Sequence, residues 1–159
     1  MLLAFIFSNL QKVVLAFICV LLLNLNLMAQ APQLEKANPN DISDSNKEQA
    51  QKMANDILSA MADGAYYQFS EDSATPQMVQ AFTEATQKQA YSQISAQVGG
   101  YQSELKYQEA YHVKQGEMEG IIYRFKGTFA NSVPEVRVVM TKENKIAGLL
   151  VVPWNDQLR

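Results

Sequence analysis

Glu109 is the acid whose neighbours in this sequence could tune it for chemistry. It stands in the alternating run Leu105, Tyr107, Glu109, Tyr111, Val113, so strand parity places it on an apolar face between two tyrosines. A carboxyl in such a setting has its charged form disfavoured and its pKa raised, as a general acid or base requires. Two plainer arrangements compete with that reading: a β-bulge that turns the side chain to solvent, or a tyrosine hydroxyl that satisfies it. His112, the single histidine, falls by the same parity on the polar face with Lys106 and Gln108 and reads as a solvated side chain. Tyr107, Tyr111, Tyr123, Phe125 and Trp154, together with Phe129, could line a small-molecule cavity. They could equally fill a core, where aromatics bury the most area.

No other pattern carries chemistry. The one cysteine, Cys19, lies in the apolar N-terminal stretch, so the rest of the chain has no disulfide and no thiolate ligand. No cluster of metal-ligand spacing, nucleophile constellation or phosphate loop is present, and no cofactor or metal is expected. With a net charge of −3 and scattered Lys and Arg, the chain lacks the basic stripe of a nucleic-acid binder.

The elements that must position these residues can be read from periodicity. Residues 1–29 read as a signal peptide: Lys12 precedes an apolar run that decays into Ala29, and polar, proline-containing sequence comes at once after it. Cleavage after Ala29 is expected, with an uncleaved membrane anchor as the alternative. The apolar, uncharged first ten residues are unusual for a leader and suit a translation start nearer Leu10. Residues 30–45 carry Pro32 and Pro39 without apolar periodicity and read as a linker.

A single domain is expected over residues 46–155. Asp44 or Ser45 can cap a helix through Ala50, Met53, Ile57, Leu58 and Met61, ended by Asp63 and Gly64. A short helical segment can hold Tyr66, Tyr67 and Phe69. Thr75 with Pro76 starts a long helix, interrupted near Thr86, that Gly99 and Gly100 stop. Four β-rich runs come after it, within residues 104–113, 121–129, 135–141 and 145–154. The last is apolar on both sides and should be covered on both. Gly148 within it suggests a bulge, a bend or a close backbone approach that a larger side chain would disturb. The fold class is therefore α+β, with N-terminal helices packed on a curved four-stranded antiparallel sheet, a cone-shaped roll.

Four stretches stand out together: Ala60-Met61-Ala62-Asp63-Gly64 with aromatics after it, Gly99-Gly100-Tyr101, Tyr123-Arg124-Phe125-Lys126-Gly127, and Lys145-Ile146-Ala147-Gly148-Leu149 with Pro153. With them, residues 54–154 resemble the family known as domain of unknown function 3887 (DUF3887), one of the nuclear-transport-factor-2-like, cystatin-like rolls. The resemblance implies an exported domain, standing alone or ahead of a hydrolase domain, with no catalytic residues to carry over. With the last strand closing a few residues before Arg159, a standalone domain is expected.

Two functions fit. One is an exported (periplasmic or secreted) non-enzymatic domain that binds a small apolar ligand, an envelope component or a protein, including a second copy paired through the sheet. Ile122, Val139, Leu149 and Val151 are the apolar outer-face residues expected to serve that pairing. The other is a small isomerase- or cyclase-like enzyme with Glu109 inside the cone as its proton-transfer group.

Overall fold

The computed structural model describes residues 32–156 and 158, so the expected leader and its cleavage point lie outside the described residues. Strand β1 (Gln33–Lys36) is followed by a 3₁₀ turn (Pro39–Asp41) and helix α1 (Asp44–Ala62). Helices α2 (Pro76–Ala81) and α3 (Glu84–Val98) come next, then β2 (Tyr101–Gln115), β3 (Met118–Phe129), β4 (Glu135–Thr141) and β5 (Ile146–Val152). The strands form one antiparallel sheet in the order β1-β2-β3-β4-β5. The chain is thus α+β, with five strands rather than four. The additional strand lies in the stretch read as a linker: Gln33–Lys36 pairs with Tyr111 to Lys114 of β2. All four of its residues are exposed, which is why no burial periodicity marks it in the sequence.

Capping explains the helix boundaries. The Ser43 hydroxyl accepts from the Asn46 N–H at 3.2 Å, so the α1 cap sits one residue before the earliest expected position. Gly64, at φ 72°, ends that helix in the left-handed region that glycine enters without steric cost. Thr75 caps α2 through the Met78 N–H at 3.3 Å, with Pro76 in the first turn. The long helix breaks earlier than expected, at Phe82, because Thr83 caps a new one through the Thr86 N–H.

Residues 65–70 are not helical. Their backbone is held instead by Gln87, whose buried side chain accepts from the Tyr67 N–H at 3.0 Å and donates to the Tyr67 and Phe82 carbonyls. Phe69 then packs edge-on between Tyr67 and Phe82.

All the helices add to one core on one side of the sheet. Ala50, Met53, Ala54, Ile57, Leu58 and Met61 of α1 meet Leu105, Ala110, Tyr123, Phe125, Val136, Val138 and Leu149 there. Leu149 and Val151 therefore face the helices and not the outside. Gly148 pairs with Val139, but Met140 pairs with Ile146, so Ala147 is an extra residue and the parity of β5 is displaced. The outward apolar residues of β5 are Leu150 and Val152, which stand opposite Arg137 and Glu135. No helix among the described residues is long and apolar enough to cross a membrane.

The tight glycine of the sheet is Gly120, not Gly148. A Cβ on Gly120 would lie 2.3 Å from the Met140 carbonyl oxygen, whereas one on Gly148 would meet Val139 Cγ2 at 3.4 Å, an ordinary contact. Gly120→Ala should lower stability by about 1–3 kcal/mol, the range for overpacking that backbone must absorb. Gly148→Ala should change it by less than about 0.5 kcal/mol, as an unstrained surface-range substitution does. Denaturant titration of the two variants separates these outcomes.

Candidate functional site

A bulge at Gln108 decides where Glu109 points. Tyr107 pairs with Phe125 and Glu109 pairs with Arg124, so two steps of β2 are matched by one step of β3. The Gln108 amide donates to the carbonyls of Lys106 and Tyr107 at 3.0 Å each, fastening the extra residue locally. Side chains after the bulge exchange faces: Leu105, Tyr107 and Ala110 meet the core, while Glu109, Tyr111 and Val113 turn to the side without helices. Glu109 is therefore not inside the helix-covered space.

On the outer side Glu109 joins a cluster built around Arg124, whose side chain is fully buried. Arg124 Nε donates to Glu135 Oε1 and Nη2 to Glu135 Oε2, both at 2.7 Å, the parallel fork that suits guanidinium and carboxylate. Nη1 donates to Glu109 Oε1, and Nη2 also reaches the Asn155 carbonyl. Lys36 Nζ of β1 lies 2.6 Å from Glu109 Oε2, the Tyr111 hydroxyl donates to Glu109 Oε1 at 3.3 Å, and Arg137 Nε donates to Glu135 Oε1 at 2.5 Å. Trp154, just past β5, lies over the guanidinium with 4.7 Å from Cζ to the ring centroid, and Lys126 Nζ sits 4.5 Å from the same ring. Every strand except β5 contributes a charged group, and the segment after β5 covers them.

The electrostatics result from this crowding. Burial pushes the Glu109 carboxyl up, but the Lys36 hydrogen bond and the Arg124 charge outweigh it and hold the group below the usual carboxylate range. Glu135 is likewise raised by burial and more strongly lowered by Arg124 and Arg137. Both acids are thus held ionised at neutral pH, opposite in sign to the shift that proton transfer by Glu109 would need. The cluster leaves no buried side-chain nitrogen or oxygen without a hydrogen-bond partner among the described residues.

The aromatic candidates divide between the two sides of the sheet. Tyr123 and Phe125 are 1 % and 0 % exposed within the helix-side core, where Tyr107 packs edge-on against Phe125 at 5.9 Å. Tyr111 and Trp154 stand on the outer side around Arg124. The five do not line one common space. His112 is exposed, as expected, but stands opposite Ile121 on β3 and so does not share a face with Lys106, which stands opposite Lys126. No group of three or more His, Cys, Asp or Glu suited to a metal occurs among the described residues.

Arg124 and Glu135 are the residues sequence reasoning missed. Arg124 alternates, with Lys126 and Thr128, against the apolar positions Tyr123, Phe125 and Phe129, and nothing in that alternation distinguishes a sealed guanidinium from a solvated one. The available signal is Trp154: a large aromatic directly after Pro153, beyond the end of a strand, has to be laid back onto some surface.

Beside the cluster the outer face is apolar. Ile122 stands opposite Val139 and Val139 opposite Gly148, with Leu150 and Val152 further along β5. Val139, Leu150 and Val152 are half-buried and Leu34 at the β1 edge is exposed. Comparison with known proteins returned no matching family model, no matching curated protein and no matching solved structure.

The cluster generates two expectations. Arg124→Met should destabilise the fold by about 3–5 kcal/mol, because it leaves Glu135 as a buried charge without its fork, whereas Arg124→Met with Glu135→Leu should recover much of that loss. The near-ultraviolet circular dichroism of Trp154, the single tryptophan, should collapse in the first variant. Glu109→Gln should cost about 1.5–3 kcal/mol at pH 7, the range for charge-assisted hydrogen bonds. A folded-state pKa below the unfolded one contributes stability above the unfolded pKa and loses it as pH falls through the folded pKa. The difference between wild type and Glu109→Gln should therefore shrink on acidification below about pH 4.5, the unperturbed Glu value. Melting curves at a series of acid to neutral pH values measure it.

Proposed function

We propose that this chain is an exported, non-enzymatic binding domain, a roll of the nuclear-transport-factor-like kind related to DUF3887, whose sheet curves around its helices. The reading takes the first 29 residues as a cleaved leader and places the domain in the periplasm or outside the cell. The ligand is a small apolar molecule, an envelope component or a protein, a second copy included, and the mild negative charge with scattered Lys and Arg speaks against nucleic acid.

The observation that carries this reading is the sheet face opposite the described helices, where Val139, Leu150 and Val152 are half-buried around the buried Ile122, beside a charge cluster whose buried polar atoms are all paired. An apolar area rimmed by polar groups is the usual surface signature of binding. The enzymatic alternative has no comparable support, since Glu109 is ion-paired on both oxygens and the tyrosines meant to assist it are divided between two faces.

Two measurements test the proposal. N-terminal sequencing of the chain recovered from outside the cytoplasm should begin near Gln30, and an intact N-terminus in the membrane fraction would replace export by anchoring. The fluorescence of 1-anilinonaphthalene-8-sulfonate should rise when mixed with the folded protein and should fall several-fold with Val139→Glu, while far-ultraviolet circular dichroism stays unchanged. A dye response that Val139→Glu leaves intact would move the binding surface elsewhere.

A further inference from the structure

The two edges of the sheet are unlike. β1 has four residues, all exposed, and ends in Glu35 and Lys36, so it is a short edge blocked by charge. β5 has seven residues, Ile146–Val152, and carries no charged side chain. Its first residue is already engaged on the outer edge: Ile146 donates to the Ser73 carbonyl and accepts from the Thr75 N–H, both at 2.9 Å. Past Ile146 no described strand pairs with that edge, and Pro153, which has no N–H, stops it at the other end. Between these stops lie residues 147–152, where alternate residues turn N–H and C=O away from β4. An uncharged, β-branched and leucine-rich edge of this kind is what soluble domains ordinarily block or cover.

We infer that β5 is an interaction edge that pairs, antiparallel, with β5 of a second copy of this chain, centred on Leu150. Self-pairing fits the edge in three respects. With no charge on the strand, no like charges are set opposite one another. The two-fold axis of an antiparallel strand pair runs perpendicular to the sheet, so outward residues meet outward residues and helices of both copies stay on one side. With Leu150 facing its own copy, Gly148 faces Val152, so every facing residue falls within the free window. Each Pro153 then meets residue 147 of the partner copy, before the Ser73–Thr75 bridge closes the edge. The inference deepens the binding reading by naming a second copy as one partner, but it assigns that partner to the edge and not to the apolar face.

Cysteine cross-linking tests it, in full-length chain carrying Cys19→Ser so that the introduced thiol is the only one. Facing Cα atoms in an antiparallel pair lie about 4.5–5.5 Å apart, a span that a disulfide bridges. Leu150→Cys should convert most of the protein to a covalent dimer under mild oxidation, and light scattering should give a dimer mass for the unsubstituted chain. Val139→Cys, on β4 and so one strand in from the new interface, should stay uncross-linked. A monomer at every concentration overturns the inference, and so does a dimer that Leu150→Cys does not link. Cross-linking through Val139→Cys instead would mean that copies meet face to face, leaving the binding proposal standing while the edge assignment fails. Loss of the dye response with an intact Leu150→Cys dimer would give the reverse result.

Discussion

The fork between Arg124 and Glu135 is the constraint on which the outer half of the molecule depends. Both side chains are fully removed from water, and each ion so placed carries a desolvation cost of several kcal/mol that only close partners offset. Arg124 meets that demand by taking a partner from almost every direction: Glu135 on β4, Glu109 on β2, and the Asn155 carbonyl beyond β5. Lys36 extends the chain of contacts to β1 through Glu109. Its effect lies in register more than in net stability. A one-residue slip of β4 would send Glu135 to the helix side and leave Arg124 buried without its fork, a penalty added to that of turning Val136, Val138 and Met140 out of the core. Placement of the C-terminal segment answers the same demand, since Trp154 and Asn155 close the last open sides of the guanidinium.

The other half of the molecule is organised by apolar burial, with one polar exception. Tyr123, Phe125, Val136 and Val138 form the sheet side of the core and α1 supplies the facing layer. Gln87 is sealed within the helical half, and its amide joins the non-helical stretch at Tyr67 to the carbonyl at the end of α2. The sheet thus separates two regimes: an aromatic, filled side, and an outer side in which charge is neutralised locally and apolar side chains remain half-exposed. Binding belongs with the second, because the first has its aromatics already packed against one another.

Features that depend on local chemistry were legible in the sequence. Thr75 with Pro76, Gly64 after α1 and Gly99 after α3 mark their boundaries in the structure because capping and left-handed backbone are decided within a few residues. The four long strands were readable from alternation. Parity failed across irregularities. Gln108 and Ala147 are extra residues in β2 and β5, and each exchanges the faces of the residues beyond it, which moved Glu109 outward and brought Leu149 and Val151 inward. A single inserted residue leaves the alternation of residue types almost unchanged while reversing its meaning. β1 was illegible for a different reason, since it gains only edge hydrogen bonds and buries none of its four residues.

Sheet order also has a kinetic side. From β2 to β5 each strand pairs with its immediate successor across a short turn, so these contacts close small loops. β1 is the exception: Leu34 meets Val113, across α1, α2, α3 and most of β2. Loop-closure entropy therefore makes the β1–β2 ladder the last and slowest pairing to form. Lys36 can reach Glu109 only once that ladder exists. A chain threaded from its N-terminus would expose β1 first and dock it last, and during that interval the β2 edge would remain open, with Glu109 carrying only the Arg124 half of its final neutralisation.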